Sequence, residues 1–276
     1  MKQLFGYAGK VLRVNLTNNK ILKQPLREDI IDKYIRCVGY AARVLWEELK
    51  PGIDPLGPEN KLIFATGPLT GTLCPGSGSY KICTKSPLTG GWAESRSGGF
   101  FGPKLKFSGF DFIILEGSAE KPVYLWVHDG EAEIRDAKEL WGKTVHETTE
   151  VVLEEIGDRE ASVACIGPAG EKLVRIAAVM NDRDNAAGRC GTGAVMGSKK
   201  IKAIVTNGIQ EISIAQPEAF DEAVTEADEA LKRNMPNIHT IIPLGTIGLV
   251  NIYNSQGALP TKHEIGFLGD ASPSRP

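Results

Sequence analysis

The chain has 276 residues, of which 42% are hydrophobic and 24% are charged, and its formal net charge is -2. These proportions are typical of soluble globular proteins, so they argue against a disordered chain, a fibre or a long coiled coil. The small net charge also argues against a broad nucleic-acid-binding surface and against attraction to anionic membranes. Glycine is the exception, because its 31 residues make up about 11% of the chain against a usual share of about 7%.

The N-terminal segment and the cysteines predict a cytoplasmic protein. The segment MKQLFGYAGKVLRVNL lacks the apolar stretch of a signal peptide, and no apolar run approaches the roughly 18 residues that span a bilayer. The five cysteines are odd in number and none are spaced as C-x-x-C, which argues against a disulfide framework and an iron–sulfur or zinc motif. We therefore expect no membrane partner and no self-contained metal site.

The first elements are predicted to be a β-hairpin, a helical segment and a buried strand. Alternating apolar residues predict a strand that ends at Leu16, and Asn18-Asn19 turns the chain into a second strand at Ile21. Helical spacing extends over residues 27–49 and is broken near Gly39. The run KLIFAT at 61–66 predicts a short apolar strand.

The next segment, 67–109, is the first glycine-rich block. Its ten glycines and four prolines interrupt the sequence too often for long regular elements, although a short strand at Tyr80–Lys85 still fits. Regular patterns then return. They predict a strand in FDFIILEG, a hairpin around Asp129-Gly130, a helix at 146–156, and strands in ASVACIG, KLVRIAAVM and KAIVT.

The last quarter of the chain has a different pattern. After about Gly208 the spacing becomes helical, with Pro217 well placed at a helix start. The tail GFLGDASPSRP completes no core, so the helical part packs either on the first domain or against polypeptide beyond this sequence, and we favour the second. The first 210 residues therefore read as a β-rich α+β domain, and residues 211–276 as the beginning of a helical domain.

The first glycine-rich block has the composition of an anion-binding surface. Glycine permits positive φ and close approach of the backbone to a ligand, and successive N–H groups in tight turns form concave anion sites. Arg96, Lys104 and Lys106 supply positive charge for a phosphate. The same glycines would also serve as ordinary turns between short strands, and both interpretations stay open.

The second glycine-rich block, at 181–198, precedes a predicted helix start at Ala194. N–H groups at that helix start would hold an anion with Arg189 as the charged partner. The glycine spacing fits neither the dinucleotide fingerprint nor the P-loop, so a nucleotide-binding enzyme is the weakest interpretation. Cys190 and Cys74 have no His or Asn/Asp partner that spacing can assign, and they are predicted to be packed structural cysteines.

Six motifs follow one another in a distinctive order: PENKLIFATGPLTGT, TKSPLTG, SGGFFGPKLKFSGFD, EKPVY, IGPAGE and AGRCGTGAVMGSKKIKAI. Together they resemble the N-terminal domain of the aldehyde ferredoxin oxidoreductases, from FGYAGKVLRVNLT to about Thr206 and weakly into GTIGLVNIYNSQGALP. The resemblance implies an α+β domain with two β-sheets and flanking helices at 1–210, which binds pterin, and a partial helical domain at 211–276.

The resemblance also implies the cofactors and the reaction. Enzymes of this family hold a pair of pterin dithiolenes on tungsten or, less often, molybdenum, with a magnesium ion between the pterin phosphates. They oxidise aldehydes to carboxylic acids and pass electrons through a [4Fe–4S] cluster to ferredoxin. The cofactor performs the redox step, and the protein supplies position and electrostatics.

Two loops are implied to bind the cofactor. Matching positions in the Ser-Gly-Gly loop and in the second pterin loop are Ser97, Gly98, Gly99, Ala186, Ala187, Gly188 and Arg189. Three positions depart from the family pattern, because Ser79, Arg96 and Asn185 stand where the family has Arg, Asn and Arg. Arg96 would replace the charge that position 79 lacks. The positions of Arg96 and Ala186 match the loops associated with magnesium.

Two hypotheses about function follow. In the first, the chain is the N-terminal cofactor-binding part of a tungsten- or molybdenum-pterin aldehyde oxidoreductase. Its expected partners are ferredoxin or another iron–sulfur electron carrier. It is also expected to associate with further helical domains or with a complementary subunit, and it could form a homodimer. In the second, the chain is a non-catalytic pterin-binding or assembly module, because it lacks the family's C-x-x-C-x-x-x-C cluster motif. No catalytic residue and no cluster ligand is assigned.

Overall fold

The computed structural model describes residues 4–34, 37–235, 244–261 and 266–267. The chain divides into two compact units, Met1–Pro217 and Glu218–Pro276. Within the described residues, the first unit contains two six-stranded mixed β-sheets and flanking helices. The predicted α+β class, with a β-rich N-terminal part, is therefore confirmed.

Sheet A is formed by the first six strands of the chain. They are β1 (Lys10–Asn15), β2 (Lys20–Pro25), β3 (Leu62–Ala65), β4 (Tyr80–Lys85), β5 (Trp92–Ser97) and β6 (Phe112–Glu116). Their order is β2-β1-β6-β3-β4-β5, in which β1 and β6 are parallel and every other pair is antiparallel. Strand β5 is thus an edge strand, joined to β4 by a hairpin.

Sheet B is formed by the next six strands. They are β7 (Val123–His128), β8 (Glu131–Asp136), β9 (Ser162–Cys165), β10 (Val179–Asn181), β11 (Asn185–Ala187) and β12 (Ile201–Asn207). Their order is β11-β10-β9-β12-β7-β8, and here β7 and β12 are the parallel pair. The two sheets therefore follow one another along the chain rather than exchanging strands.

Three apolar clusters give the first unit its layers. The largest lies between the sheets and includes Leu12 and Phe64 from sheet A and Leu125 and Ile204 from sheet B. The second packs α1 (Glu28–Lys33) and α2 (Cys37–Glu48) on the outer face of sheet A. The third packs α4 (Val145–Ile156) on the outer face of sheet B. The unit also contains three short α-helices, α3 (Phe101–Phe107), α5 (Pro168–Glu171) and α6 (Thr192–Ser198), and a 3-10 turn (Lys138–Leu140).

Local sequence explains where α4 begins and ends. Thr144 accepts a hydrogen bond from the backbone N–H of Glu147, whose side chain accepts one from the N–H of Thr144, so the two residues form a capping box. Gly157 ends the helix in the left-handed conformation with φ of +70°. Val152 and Leu153 then face sheet B.

The second unit contains α7 (Pro217–Asn234), a 3-10 turn (Gly245–Leu249), α8 (Val250–Ser255) and a short strand pair, β13 (Pro260–Thr261) and β14 (Gly266–Phe267). Helix α7 begins at Pro217, as the sequence predicts. In the part of the chain that the structure describes, no helix has both the length and the apolar character needed to cross a membrane. Most of the tail, residues 268–276, lies outside the described residues.

Several predicted elements are confirmed. The first hairpin, the strand in KLIFAT, the strand at Tyr80–Lys85 and the helix near 146–156 are all present. The turn of the β7–β8 hairpin has positive φ at both Asp129 (+43°) and Gly130 (+81°), which is the geometry that a two-residue Asp-Gly hairpin requires.

Three predictions of local structure are wrong or incomplete. The predicted helical segment is divided near Gly39, as expected, but Gly39 itself is not the break: α1 ends at Lys33, α2 begins at Cys37, and Gly39 belongs to α2. A Cβ on Gly39 would lie 2.7 Å from Tyr34 Cβ, so this glycine permits close packing. In KLVRIAAVM only the last two residues are in a strand. Strand β5 and helix α3 were not predicted, since both lie in the glycine-rich block.

Candidate functional site

The two glycine-rich blocks meet at one edge of the sandwich, where β5 of sheet A lies beside β11 of sheet B. A Cβ on Gly98 would lie 3.6 Å from Asn185 Oδ1, and one on Gly99 would lie 2.8 Å from Asn185 Nδ2. The backbone N–H of Arg189 donates to Ser95 Oγ over 3.1 Å. The fold therefore brings the Ser-Gly-Gly loop (residues 97–99) against the second pterin loop (residues 185–189).

The loop before β4 reaches the same region. A Cβ on Gly78 would lie 3.0 Å from the carbonyl oxygen of Gly99, so Ser79 enters the site from a third side. In the β4–β5 hairpin Tyr80 pairs with Ser97 and Lys81 pairs with Arg96. One step further along this register, position 79 and Arg96 are diagonal neighbours on one face. That Arg96 replaces a charge at position 79 stays a prediction.

The predicted site residues differ in what they present to solvent. Arg96, Ala186, Gly188 and Arg189 are exposed, whereas Ser97 and Ala187 are buried. Ala187 pairs with Val179 and contributes its side chain to the core between the sheets. Ala187 is fully buried, backbone included, so it presents no exposed atom to a ligand. Among the described residues, neither Arg96 nor Arg189 is engaged in an ion pair, so both can meet an anion.

The Ser-Gly-Gly loop has the geometry of an anion-binding turn. Gly99 has φ of +79°, which an L-amino-acid side chain rarely tolerates. Among the described residues, the N–H groups of Gly98 and Gly99 donate no hydrogen bond to the protein. Adjacent unpaired N–H groups in such a turn form a concave site for phosphate oxygens.

Two polar residues at this site were missed from the sequence, Asn181 and Asp182. Asn181 is buried at the end of β10, and its side-chain amide donates to the carbonyl of Gly98 over 2.9 Å. Asp182 accepts the backbone N–H of Phe100 over 2.8 Å and the hydroxyl of Ser162. The signal was a pair of polar residues directly after the apolar run AAVM, but sequence spacing alone gives them no partner.

The start of the second-block helix, where an anion site is predicted, is closely packed. Helix α6 has only seven residues, and Thr192 and Gly193 at its start are buried. The N–H of Gly193 donates to Ala177 O over 2.9 Å, and a Cβ on Gly191 would collide with the carbonyl of Arg175. These glycines let α6 pack closely against the 175–178 segment, and an anion site at this helix start stays a prediction.

Two of the three predicted phosphate-neutralising residues are engaged elsewhere. Lys104 Nζ donates to Asn207 Oδ1 over 2.9 Å. Lys106 is fully buried, lies 3.6 Å from Asp111 and donates to the carbonyl of Gly67 over 2.9 Å. Burial of such a long cationic side chain requires these partners. Of the three, Arg96 alone is left to neutralise a ligand at the Ser-Gly-Gly loop.

The described cysteine and histidine side chains do not converge on a metal site. Over the described ranges, no group of three or more His, Cys, Asp or Glu residues is placed to hold a metal ion. His239 and His263 lie outside those ranges. Burial raises the pKa of the Cys165 thiol to about 11, and Cys190 Sγ is 3.8 Å from the carbonyl of Glu94. Both thiols are held in packed surroundings, as predicted for Cys190.

Comparison with known proteins identifies the family. Residues 11–208 match the family described as "Aldehyde ferredoxin oxidoreductase, N-terminal domain". The chain belongs to the aldehyde ferredoxin oxidoreductase family. It is 50% identical over 260 residues to the tungsten-containing aldehyde ferredoxin oxidoreductase of Pyrococcus abyssi, which is 94% of this chain and 43% of that protein. The chain thus spans less than half the length of this relative.

Two further proteins are similar to this chain at lower sequence identity. An aliphatic sulfonate oxidoreductase, WOR-like subunit, of Pyrococcus furiosus is 38% identical over 234 residues, which is 79% of this chain and 36% of that protein. A solved structure, the active site complex BamBC of benzoyl coenzyme A reductase with 1,5-dienoyl-CoA, is 38% identical with a TM-score of 0.82. That match covers 84% of this chain and 36% of the other.

Proposed function

We propose that this chain is the pterin-phosphate-binding part of a tungsten-pterin oxidoreductase that oxidises aldehydes to carboxylic acids and reduces ferredoxin. The observation that carries the proposal is the Ser-Gly-Gly loop, in which the N–H groups of Gly98 and Gly99 donate to none of the described residues. Arg96 precedes this loop, Arg189 belongs to the second pterin loop that packs against it, and both are exposed. The 50% identity to a tungsten-containing aldehyde ferredoxin oxidoreductase supports the choice of metal and substrate class. Molybdenum in place of tungsten is the alternative metal.

The residues present fit a phosphorylated cofactor. Gly98 and Gly99 would donate N–H groups to a pterin phosphate, and no Cβ obstructs its approach to the backbone. Arg96 and Arg189 would neutralise the phosphate charge, while Ser79 and Asn185 border the same recess. Carbonyl groups near Arg96 and Ala186 are the candidates for magnesium, which prefers oxygen ligands.

The bound metal and its dithiolenes supply the two-electron chemistry, and this chain supplies position and charge. Fixed N–H dipoles and guanidinium groups hold the phosphate ends of the cofactor, so its reactive end is presented at a constant place. We assign the [4Fe–4S] cluster, the aldehyde pocket and the ferredoxin-docking surface to further helical domains or to a complementary subunit. The name of the WOR-like subunit supports an assembly of subunits.

The proposal is tested on the protein purified from its natural source with all polypeptides that accompany it. Metal analysis is expected to give tungsten, and fluorescence of the released, oxidised pterin is expected to give two pterins per metal. Addition of aldehydes should reduce ferredoxin or a viologen dye. Native material with neither metal nor pterin would contradict the proposal and would favour the non-catalytic assembly module.

A second candidate function comes from the likeness to the active site complex of benzoyl-CoA reductase. The same domain would then hold the cofactor for a reaction on a cyclic acyl-CoA thioester. The two candidates are separated by supplying aldehydes and 1,5-dienoyl-CoA to the loaded protein with a viologen acceptor. We expect dye reduction with aldehydes only, and reduction with the thioester alone would select the second candidate.

A further inference from the structure

The strongest unassigned feature is the buried polar group formed by Asn181 and Asp182 beneath the Ser-Gly-Gly loop. Asn181 uses its full hydrogen-bonding capacity. Its Oδ1 accepts the hydroxyls of Tyr80 (3.1 Å) and Ser97 (2.5 Å). Its Nδ2 donates to Gly98 O and to Asp182 Oδ2, each over 2.9 Å. A buried amide with all partners satisfied has one defined orientation.

The carbonyl of Gly98 and the carboxylate of Asp182 set that orientation, because both groups can only accept hydrogen bonds. The amide nitrogen of Asn181 must therefore face the loop and Asp182, and its oxygen faces sheet A. The hydroxyls of Tyr80 and Ser97 then donate to that oxygen, and burial raises the pKa of Tyr80, so its hydroxyl keeps the proton that it donates. Reversing the amide would place its oxygen against two acceptors and leave the Gly98 carbonyl without a donor.

The consequence for the loop follows from peptide geometry. In a trans peptide the C=O and the following N–H point in opposite directions. Because the Gly98 carbonyl points inward to Asn181, the N–H of Gly99 points outward, away from the buried amide. The N–H of Phe100 points inward to Asp182, so the carbonyl of Gly99 points outward, where it lies near Gly78.

The backbone conformation at Gly99 has to be fixed by other residues. Gly99 has no side chain, and a Gly-Gly peptide can rotate between several conformations at little energetic cost. A Cβ on Gly99 would lie 2.7 Å from Asp182 Oδ2 and 2.8 Å from Asn181 Nδ2, so the loop backbone rests directly on the two side chains. Rotation of the Gly98–Gly99 peptide would place two donors, the Gly99 N–H and the Asn181 amide, face to face.

We propose that Asn181 and Asp182 are positioning residues, which hold the Ser-Gly-Gly loop with the Gly99 N–H directed at the pterin phosphate. This inference rests on the proposed function. Neither side chain needs to touch the cofactor, because they act through the two peptide groups that flank Gly99. Tyr80 and Ser97 complete the assembly by fixing the amide of Asn181.

The test is Asn181→Asp in the native protein with its accompanying polypeptides. The substitution keeps the shape and the acceptor for Tyr80 and Ser97, but it replaces the donor to Gly98 by an oxygen. We expect bound pterin and tungsten per polypeptide to fall at least fivefold, measured by pterin fluorescence and metal analysis. Dissociation of pterin from the loaded protein should be faster by a similar factor.

Asn60→Asp is the matched control. Asn60 is also fully buried, in the loop just before β3, and its Nδ2 donates to the carbonyls of Pro55 (2.6 Å) and Lys85 (3.1 Å). Both variants replace a donor by an oxygen beneath a backbone carbonyl, so both should lower the melting temperature. Only Asn181→Asp should lose pterin. Equal loss of pterin in both variants at equal melting temperature would overturn the inference in favour of general destabilisation.

A milder variant decides the question if Asn181→Asp does not fold. Tyr80→Phe removes one hydroxyl that orients Asn181 and keeps the aromatic ring, and we expect a two- to fivefold loss of bound pterin. If the wild-type protein carries pterin and a folded Asn181→Asp or Tyr80→Phe variant carries just as much, the inference is refuted while the proposed function stands. A wild type without pterin would instead refute the proposed function, and the inference with it.

Discussion

Glycine residues have two different tasks in this molecule, and only the structure separates them. Gly191 and Gly193 allow α6 to pack against the 175–178 segment, where any Cβ would collide with a backbone carbonyl. Gly99 instead adopts a left-handed conformation, and within the described ranges its N–H donates no hydrogen bond to the protein. Both kinds lie in glycine-rich blocks of similar composition, so the glycine count could indicate the region but not the task.

The role of Gly99 is tested by Gly99→Ala with Gly90→Ala as control. Both glycines have positive φ (+79° and +73°), so both changes cost about 1 kcal/mol of backbone strain. A Cβ on Gly90 meets nothing within 4 Å, whereas one on Gly99 meets Asp182, Asn181 and Asn185. We expect Gly99→Ala to lose about 1–3 kcal/mol more unfolding free energy. Equal losses in chemical denaturation would contradict the close approach.

The buried environment of Lys199 changes the pKa of its amine. Its amine is buried and donates to the carbonyls of Asn60 and Gly117 (2.9 Å for the latter). Burial lowers its pKa to about 7, assisted by the nearby Lys61 and opposed by Glu116. The folded protein therefore holds an amine that loses its proton far below the usual 10.5.

This shift predicts a pH dependence of stability. Below about pH 7 the amine is charged in both states, and the cost of burying it applies in full. Between pH 7 and 10.5 the unfolded chain binds a proton that the folded chain does not, so stability rises with pH. We expect a gain of up to roughly 3 kcal/mol from pH 7 to about 9.5 that Lys199→Met abolishes. Urea midpoints at several pH values measure it, and parallel profiles for both proteins would contradict it.

Individual elements show which parts of the fold the sequence could predict. Hairpins with Asn-Asn or Asp-Gly turns and apolar strands such as β3 are encoded locally, and they were found. Strand β5 (WAESRS) could not be predicted in this way. Its inward residues are the small Ala93, Ser95 and Ser97, which give no alternation of hydrophobic and polar residues. Helix α3 contains Pro103, which is tolerated because the first-turn N–H groups have no intrahelical acceptor.

The candidate site was predictable only in part for a related physical reason. The motif resemblance identified the two loops, and the fold brings them together. Asn181 and Asp182 act on Gly98 and Phe100, more than 80 residues earlier in the chain, and their partners depend on where β10 ends beside β5. Burial of Lys106 likewise depends on tertiary contacts, so its apparent fitness for phosphate was misleading.

A buried ion pair joins the N-terminal segment to α3 and β6. Lys106 donates to the carbonyls of Gly6 and Gly67, and Asp111 accepts the N–H groups of Ala8 (3.1 Å) and Gly9 (2.7 Å). Burial lowers the pKa of Lys106 and raises that of Asp111, and each charge opposes the shift of the other. The pair therefore holds three chain segments in place.

Removing one member of this pair should be more damaging than removing both charges. Lys106→Met leaves Asp111 buried without its cation, and we expect a loss of about 3–5 kcal/mol. The double variant Lys106→Met/Asp111→Asn should recover part of that loss. Thermal and urea denaturation of the four proteins in the cycle give the coupling energy. Additive losses would show that the two charges do not depend on each other.

At the scale of the whole first unit, the two sheets share one apolar core. Residues of both sheets, with Phe101 and Leu105 of α3 and Val195 of α6, form a single buried cluster. Without the other sheet, the apolar inner face of either sheet would be exposed to water. We therefore expect the unit to unfold cooperatively, with both sheets lost in one transition.

Leu125→Ala tests this cooperativity. The side chain lies in the shared core on β7 of sheet B, and its truncation should cost about 2–5 kcal/mol. Amide hydrogen exchange should accelerate to the same extent in β3 and β6 of sheet A as in β7 and β12 of sheet B. Leu88→Ala, at a half-exposed hairpin position, should change neither. Acceleration confined to sheet B would show that the sheets unfold separately.

The segregation of the two sheets along the chain has a consequence during synthesis on the ribosome. All strands of sheet A lie before residue 117, and the last strand of sheet B ends at Asn207. A growing chain can complete sheet A while about 90 residues remain to be made, which takes about 5–20 seconds at ordinary translation rates. Throughout that interval the inner face of sheet A has no partner sheet, so the nascent protein passes through a stage in which a chaperone or the ribosome surface must shield it.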